Sequence, residues 1–270
     1  MRRMKFAIII LVSICGSALW LLAQSLASSD VSPNAAEKAA AQRLLEWRRS
    51  RVTLADDWGE LARYRADDDR LATSPADRDR VVFFGDSITD YWDLEKYFPG
   101  KPYVNRGISG QTTSQMLVRF RQDVIALHPR AVVILAGSND IAGNTGPMRD
   151  EEITANLASM ADLARANKIQ VIFGSVTPVH NFTPSSQGYF YTRPLARIVK
   201  LNNWLKEYCA ANSLIYIDYY SAMVGPDGML RRELADDGLH PTSAGYQIMS
   251  KLASDALKNP VAMASDTVAK

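Results

Sequence analysis

From residue 81 onward, short continuous apolar runs alternate with stretches of helical periodicity. The runs cover residues 81–84, 103–104, 131–136, 170–176 and 214–219. Amphipathic spacing occupies 113–127, 151–167 and 194–212, and a last helical stretch covers 243–257. Strands that are apolar at successive positions have both faces buried, and helices between them make the parallel crossovers such a sheet needs. The pattern therefore predicts the α/β class: a three-layer α/β/α sandwich on a parallel sheet of about five strands. In such sheets ligands sit beyond the carboxyl ends of the strands, so the residues that follow each apolar run are where chemistry is to be sought.

Upstream of this block, residues 28–80 are rich in Ala, Arg, Asp and Glu and read as an N-terminal helical extension. "AAEKAAAQRLLEWRR" and "WGELARYRADDDRLA" are the two helical candidates. Trp58, Leu61 and Tyr64 would share one helical face and clamp the extension onto the domain. A charged, Pro-containing turn over residues 67–80 then leads into the first strand. The sandwich domain is expected over residues 81–258, with a tail at 259–270.

Residues 1–27 differ in kind. Arg2, Arg3 and Lys5 precede an apolar run from Phe6 to Leu22, and small residues follow, the layout of a secretory signal with cleavage after Ser25 or Ala27. An uncleaved anchor is the alternative, because the run is near the lower limit for spanning a bilayer. A lipoprotein signal through Cys15 fits less well, since Ile14 is bulky where a small residue is wanted. The expected location is thus outside the cytoplasm, periplasmic or secreted, with membrane contact only through an uncleaved N-terminal segment.

This segment changes how charge and cysteine content are understood. Three of the 31 basic residues and none of the 29 acidic ones lie within it, so the remainder is close to neutral and offers no basic patch for nucleic acid. Cys15 belongs to it as well, which leaves Cys209 alone. No intrachain disulfide and no cysteine zinc site can then form in the mature chain, and Cys209 reads as a buried thiol on a helix.

Candidate chemistry begins at "VVFFGDSITDYW", where the first strand runs into Gly85-Asp86-Ser87. Gly, Asp and Ser are ordinary turn residues, but a helix starting near Ser87 would also set a hydroxyl at the anion-favouring end of that helix. The nucleophile elbow G-x-S-x-G does not fit, because position 89 is Thr. A serine nucleophile needs a base and a carboxylate that orients it. Of the three histidines, His128 lies at the amino end of the sheet and reads as structural. His180 follows the fourth strand and would line a pocket. His240 stands in "DDGLHPTSAGY", three residues after Asp237, a spacing that lets one loop carry both groups; a helix-entry turn at Pro241 would suit the same residues. In "NRGISGQTT", Gly110 can bring its backbone N–H to a ligand, and in "AGSND", Asn139 offers an NH2 donor.

Gly-Asp-Ser, then Gly in "ISGQT", Asn in "GSND" and Asp-x-x-His in "DGLHP" resemble, in that order, the four blocks of the SGNH or GDSL-type esterase and lipase family, including its lysophospholipase-like and platelet-activating-factor acetylhydrolase-like branch. The resemblance covers residues 81–257, and its one departure is Ile88 where the first block ends in Leu. It implies a flavodoxin-like sheet and hydrolysis through an acyl-enzyme without metal or organic cofactor. Ser87 would be the nucleophile, His240 the base and then acid, and Asp237 its orienter. The oxyanion hole would be the N–H groups of Ser87 and Gly110 with the Asn139 side chain. The aromatic-rich connection "TPVHNFTPSSQGYFYTRP" would either shape the substrate site or be an ordered surface loop, with Asp86, His180 and Tyr189 as candidate substrate contacts. With no extended apolar lid helix in the sequence, short-acyl or acetyl esters, acetylated carbohydrates included, are the expected small-molecule partners. A lysophospholipase or thioesterase-like lipolytic enzyme, an O-acyltransferase and a silent envelope or carbohydrate-binding module remain the other readings.

Overall fold

The computed structural model of the protein describes residues 57–73 and 79–258. The expected signal, the first candidate helix and the tail lie outside these residues. Among the described residues, the elements begin with helix α1 (Arg65–Thr73), then strand β1 (Val81–Gly85), short helices α2 (Ser87–Asp90) and α3 (Leu94–Tyr97), strand β2 (Tyr103–Gly107) and helix α4 (Thr113–Asp123). Strand β3 (Ala131–Leu135), helices α5 (Ser138–Ile141) and α6 (Asp150–Ala166), and strand β4 (Gln170–Gly174) follow. Helices α7 (Gln187–Thr192) and α8 (Leu195–Ala211), strand β5 (Ile215–Ile217), and helices α9 (Tyr219–Met223) and α10 (Ser243–Lys258) follow to the end of the described residues.

All five strands are parallel, in the order β2-β1-β3-β4-β5. The apolar runs become strands because Val, Ile and Phe fit a pleated surface covered on both sides; β1 and β3 are buried at every position. Each fully buried Val, Ile or Phe there contributes roughly 1.5–3 kcal/mol. The chain leaves β1 to one side for β2 and returns to the other for β3. The topological switch point, where doubly wound sheets open a crevice, therefore lies between the ends of β1 and β3.

Gly107 shows why this end of the sheet is tightly built. A Cβ there would stand 2.1 Å from the backbone nitrogen of Asp90, so only glycine lets α2 rest directly on the end of β2. Helix α10 holds α2 from another direction: Tyr246 Oη donates to the Ile88 carbonyl at 2.8 Å and Trp92 Nε1 donates to Ser250 Oγ at 3.0 Å.

The extension departs from expectation. Residues 57–64 form successive turns, and the helix begins only at Arg65, midway through the second helical candidate, and runs on to Thr73 through residues expected to form a charged turn. Asp57 takes the N–H groups of Leu61 and Ala62 at 2.8 Å each, and Glu60 adopts a left-handed φ of 55° that a right-handed helix cannot continue through. Trp58 is exposed rather than clamped. The segment is fastened through its carbonyls instead: Gln115 donates to Trp58, Gln111 to Gly59 and Gln122 to Leu61, while Tyr64 Oη donates to the Gly107 carbonyl. Cys209 is buried as expected, and desolvation pushes its thiol up to about 12.

Candidate active site

Ser87 opens α2, immediately after the end of β1. Asp86 caps that helix by accepting from the Ile88 N–H at 3.0 Å, a kind of contact worth about 1 kcal/mol. His240 lies just before α10, on a loop whose geometry Asp237 dictates. One carboxylate oxygen, Oδ1, accepts from the N–H groups of Leu239 at 3.0 Å and His240 at 2.8 Å. The other, Oδ2, meets His240 Nδ1 at 2.6 Å. His240 Nε2 is 2.9 Å from Ser87 Oγ. A carboxylate can only accept, so it takes the Nδ1–H and leaves Nε2 free to accept from the hydroxyl.

Burial alone would raise the Asp237 carboxyl, but the His240 hydrogen bond and charge, with the two backbone donors, hold it down to about 2. Asp86 shows the opposite balance. Desolvation pushes it up to about 6, against the Ile88 N–H and the charges of His240 and Arg193.

Gly110 and Asn139 reach the same place. Gly110 has a φ of +79°, a left-handed turn that glycine adopts freely. Its loop is tied to α2 because Ser109 donates to Asp90 Oδ2 through both N (3.1 Å) and Oγ (2.6 Å). Asn139, 3% exposed, lies in the four-residue helix after β3. Its Nδ2 donates to the Gln111 carbonyl at 3.1 Å and approaches Asp86 Oδ2 at 3.3 Å. Ser87, Gly110, Asn139, Asp237 and His240, predicted from four separate segments, thus line one cleft of about 670 Å³.

The candidate substrate contacts separate. Tyr189 lines the cleft, its ring edge-on to His240 at 5.6 Å. Asp86 and His180 are not among the lining residues: Asp86 is buried beneath, holding the start of α2 and facing Asn139. His180 is fully buried; Nε2 donates to the Ala235 carbonyl at 2.7 Å and Nδ1 accepts from the Phe182 N–H at 3.3 Å. With its own N–H bonded to the Gly238 carbonyl at 3.0 Å, His180 staples the connection after β4 to the loop that carries Asp237 and His240. His128, exposed with φ +50°, ends a turn at the opposite edge of the sheet.

Of the lining residues that the sequence reading did not single out, two stand against the predicted site residues. Tyr91, 58% exposed, faces His240 at 5.2 Å between ring centroids, while Tyr189 is half-buried. Arg193, the last but one residue of the aromatic connection, is buried against Asn139. A tyrosine within "TDYW" and an arginine before a proline carry no local signal of such roles. Among the described residues, no group of three or more His, Cys, Asp or Glu side chains converges as a metal site would, and no helix is long and apolar enough to cross a membrane.

The sequence profile of the GDSL-like Lipase/Acylhydrolase family matches residues 83–248. A GDSL-like lipase from Bacteroides thetaiotaomicron of known structure is 40% identical, with a TM-score of 0.68, over 74% of this chain and 98% of that one. The lipoprotein YqeF of Bacillus subtilis is 30% identical over 132 residues, 42% of this chain and 54% of that protein. An N-acylneuraminate cytidylyltransferase of Streptococcus agalactiae is 28% identical over 168 residues; these are 62% of this chain but only 36% of that protein's length.

Proposed function

Because the chain belongs to the GDSL-like lipase/acylhydrolase family and is an ester hydrolase, we propose that it is a serine esterase working through Ser87, His240 and Asp237 on short-acyl esters, acetylated carbohydrates first among them. The observation that carries this is the continuous hydrogen-bonded chain from Ser87 Oγ through His240 to Asp237, at 2.9 and 2.6 Å.

As Ser87 Oγ attacks the ester carbonyl carbon, its proton passes to His240 Nε2 and the carbonyl electron pair moves onto oxygen. The N–H groups of Ser87 and Gly110 and Nδ2 of Asn139 receive that oxyanion. Collapse breaks the bond to the leaving alcohol, which takes the proton from His240, and the acyl group stays on Ser87. Water then attacks the acyl carbon as its proton passes to His240; collapse breaks the bond to Ser87 Oγ, which takes the proton back from His240, and the acid leaves. Asp237, held down to about 2, stays ionised throughout and stabilises the imidazolium.

The substrate class is drawn from the walls. Tyr91 and Tyr189 flank His240 where the leaving group departs, and flat aromatic rings suit the apolar face of a sugar. Polar groups of Ser109, Asn144 and Arg193 share the lining. The partial match to an N-acylneuraminate cytidylyltransferase supports a carbohydrate substrate, and the match to a lipoprotein supports export.

A series of aryl esters from acetate to dodecanoate tests the reading, with Ser87→Ala as control. The expected result is kcat/KM highest at the shortest acyl chains and no burst from the variant. Each methylene in an apolar pocket is worth about 1–3 kcal/mol, so activity climbing beyond about eight carbons would reveal a long acyl channel and favour a lipolytic enzyme instead.

A further inference from the structure

Arg193 sits beside the reaction centre without belonging to the Ser87–His240–Asp237 chain. It is 3% exposed, and its guanidinium reaches across the end of β3. Nε donates to Ser138 Oγ at 2.9 Å, Nη2 to Asn139 Oδ1 at 2.8 Å and Nη1 to Thr192 Oγ1 at 3.1 Å. The Tyr189 ring lies 5.4 Å from Cζ. A guanidinium has donors and no acceptor, so the Asn139 atom it meets must be the amide oxygen. This settles which way the amide faces. Nδ2 is turned away from Arg193, where the Gln111 carbonyl takes one proton at 3.1 Å. The second proton has only the long 3.3 Å contact with Asp86 Oδ2, and it is this proton that an oxyanion can claim.

We propose that Arg193 is a positioning residue for ester hydrolysis: by bonding Asn139 Oδ1 it locks the amide with Nδ2 toward the developing oxyanion and polarises that donor. The proposal rests on the serine-esterase reading. Without the guanidinium, only the Gln111 carbonyl and the long contact with Asp86 hold the amide against turning over, and the flipped form would present oxygen to oxygen. The bond is also charge-assisted, which withdraws electrons from the amide and strengthens its N–H as a donor while charge develops. Since the oxyanion exists only in the transition state and intermediate, the benefit falls on kcat rather than on substrate binding.

A purely architectural Arg193, tying the end of α7 to the β3–α5 junction, would affect any variant alike. A double-mutant cycle separates the two roles. Arg193→Met, Asn139→Ala and the double variant are purified, checked for an unchanged thermal transition, and assayed with an aryl acetate. Asn139→Ala is expected to lose about 10²- to 10³-fold in kcat. Arg193→Met is expected to lose about 10- to 100-fold with KM within about threefold, and in the Asn139→Ala background to cost less than about threefold more. Arg193→Lys, which keeps the charge but not the planar fork, is expected to fall between Met and wild type. Should the Met variant fail to fold, Arg193→Lys and Arg193→Gln carry the same cycle.

An equal kcat loss in both backgrounds, a change in KM alone, or no change would each overturn the proposal. An active Asn139→Ala beside an inactive Ser87→Ala would overturn it while leaving the serine reading intact. Turnover retained by Ser87→Ala would instead remove the esterase reading itself.

Discussion

Asp86 and Asp237 are the same residue type in one site, and their surroundings drive them in opposite directions. Asp237 is the more exposed, yet its two oxygens collect three donors, from Leu239 N, His240 N and His240 Nδ1, and it titrates at about 2. Asp86 is enclosed and receives one good donor, Ile88 N, with the long approach of Asn139 Nδ2, and it titrates at about 6. The difference teaches that burial raises both carboxyls, fully so for Asp86, and that the imidazole and backbone donors gathered by the loop around Asp237 outweigh it there and let that aspartate serve as a permanent negative charge. The "DDGLH" turn supplies those donors within three residues; the "GDS" turn spends its carboxylate on starting a helix.

The largest effect that can break this comparison is Asp237→Asn. The amide keeps the shape but cannot balance an imidazolium, and its NH2 competes for the wrong face of His240, so kcat should fall roughly 10³- to 10⁴-fold with the fold intact. A loss of tenfold or less, measured with an aryl acetate, would mean that the charge of Asp237 is not used. Asp86→Asn should be milder, about tenfold in kcat, because its side chain supports Asn139 and α2 rather than a charge that forms during the reaction.

The smallest effect sharpens the comparison through stability. Asp86 is raised in the folded state, so its contribution is full below an unfolded value of roughly 4 and is lost as pH rises toward 6. Asp237 is depressed, so its contribution is full above roughly 4 and is lost as pH falls toward 2. Urea unfolding should therefore show wild type losing stability relative to Asp86→Asn between pH 4 and 6. Relative to Asp237→Asn, wild type should gain stability between pH 2 and 4. Slopes of the same sign would undo the contrast.

What was legible in the sequence follows the strength of the physical signal. Strands β1 and β3 are buried on both faces, so their composition alone gives them away, and the catalytic edge follows from where such strands end. The order of Ser87, Gly110, Asn139 and Asp237/His240 was readable because each follows a strand or lies in a late loop. Residues 57–64 misled because Trp58, Leu61 and Tyr64 fit helical spacing, whereas Asp57 and the left-handed Glu60 fold the backbone into turns that spacing cannot reveal. His180 misled for a related reason: a histidine that staples two loops and one that lines a pocket look alike in sequence, and only the carbonyl of Ala235, 55 residues away, distinguishes them. Arg193 was invisible because its role depends on Asn139, 54 residues earlier.

The account turns on Ser87 carrying the acyl group between two half-reactions. Intact-protein and peptide mass spectrometry of enzyme quenched during turnover of a slow aryl ester tests this most directly. The expected result is one acyl mass added to the peptide containing Ser87, formed at the rate of the burst and absent from Ser87→Ala. Full turnover with no adduct on that peptide, or an adduct that persists in Ser87→Ala, would contradict it.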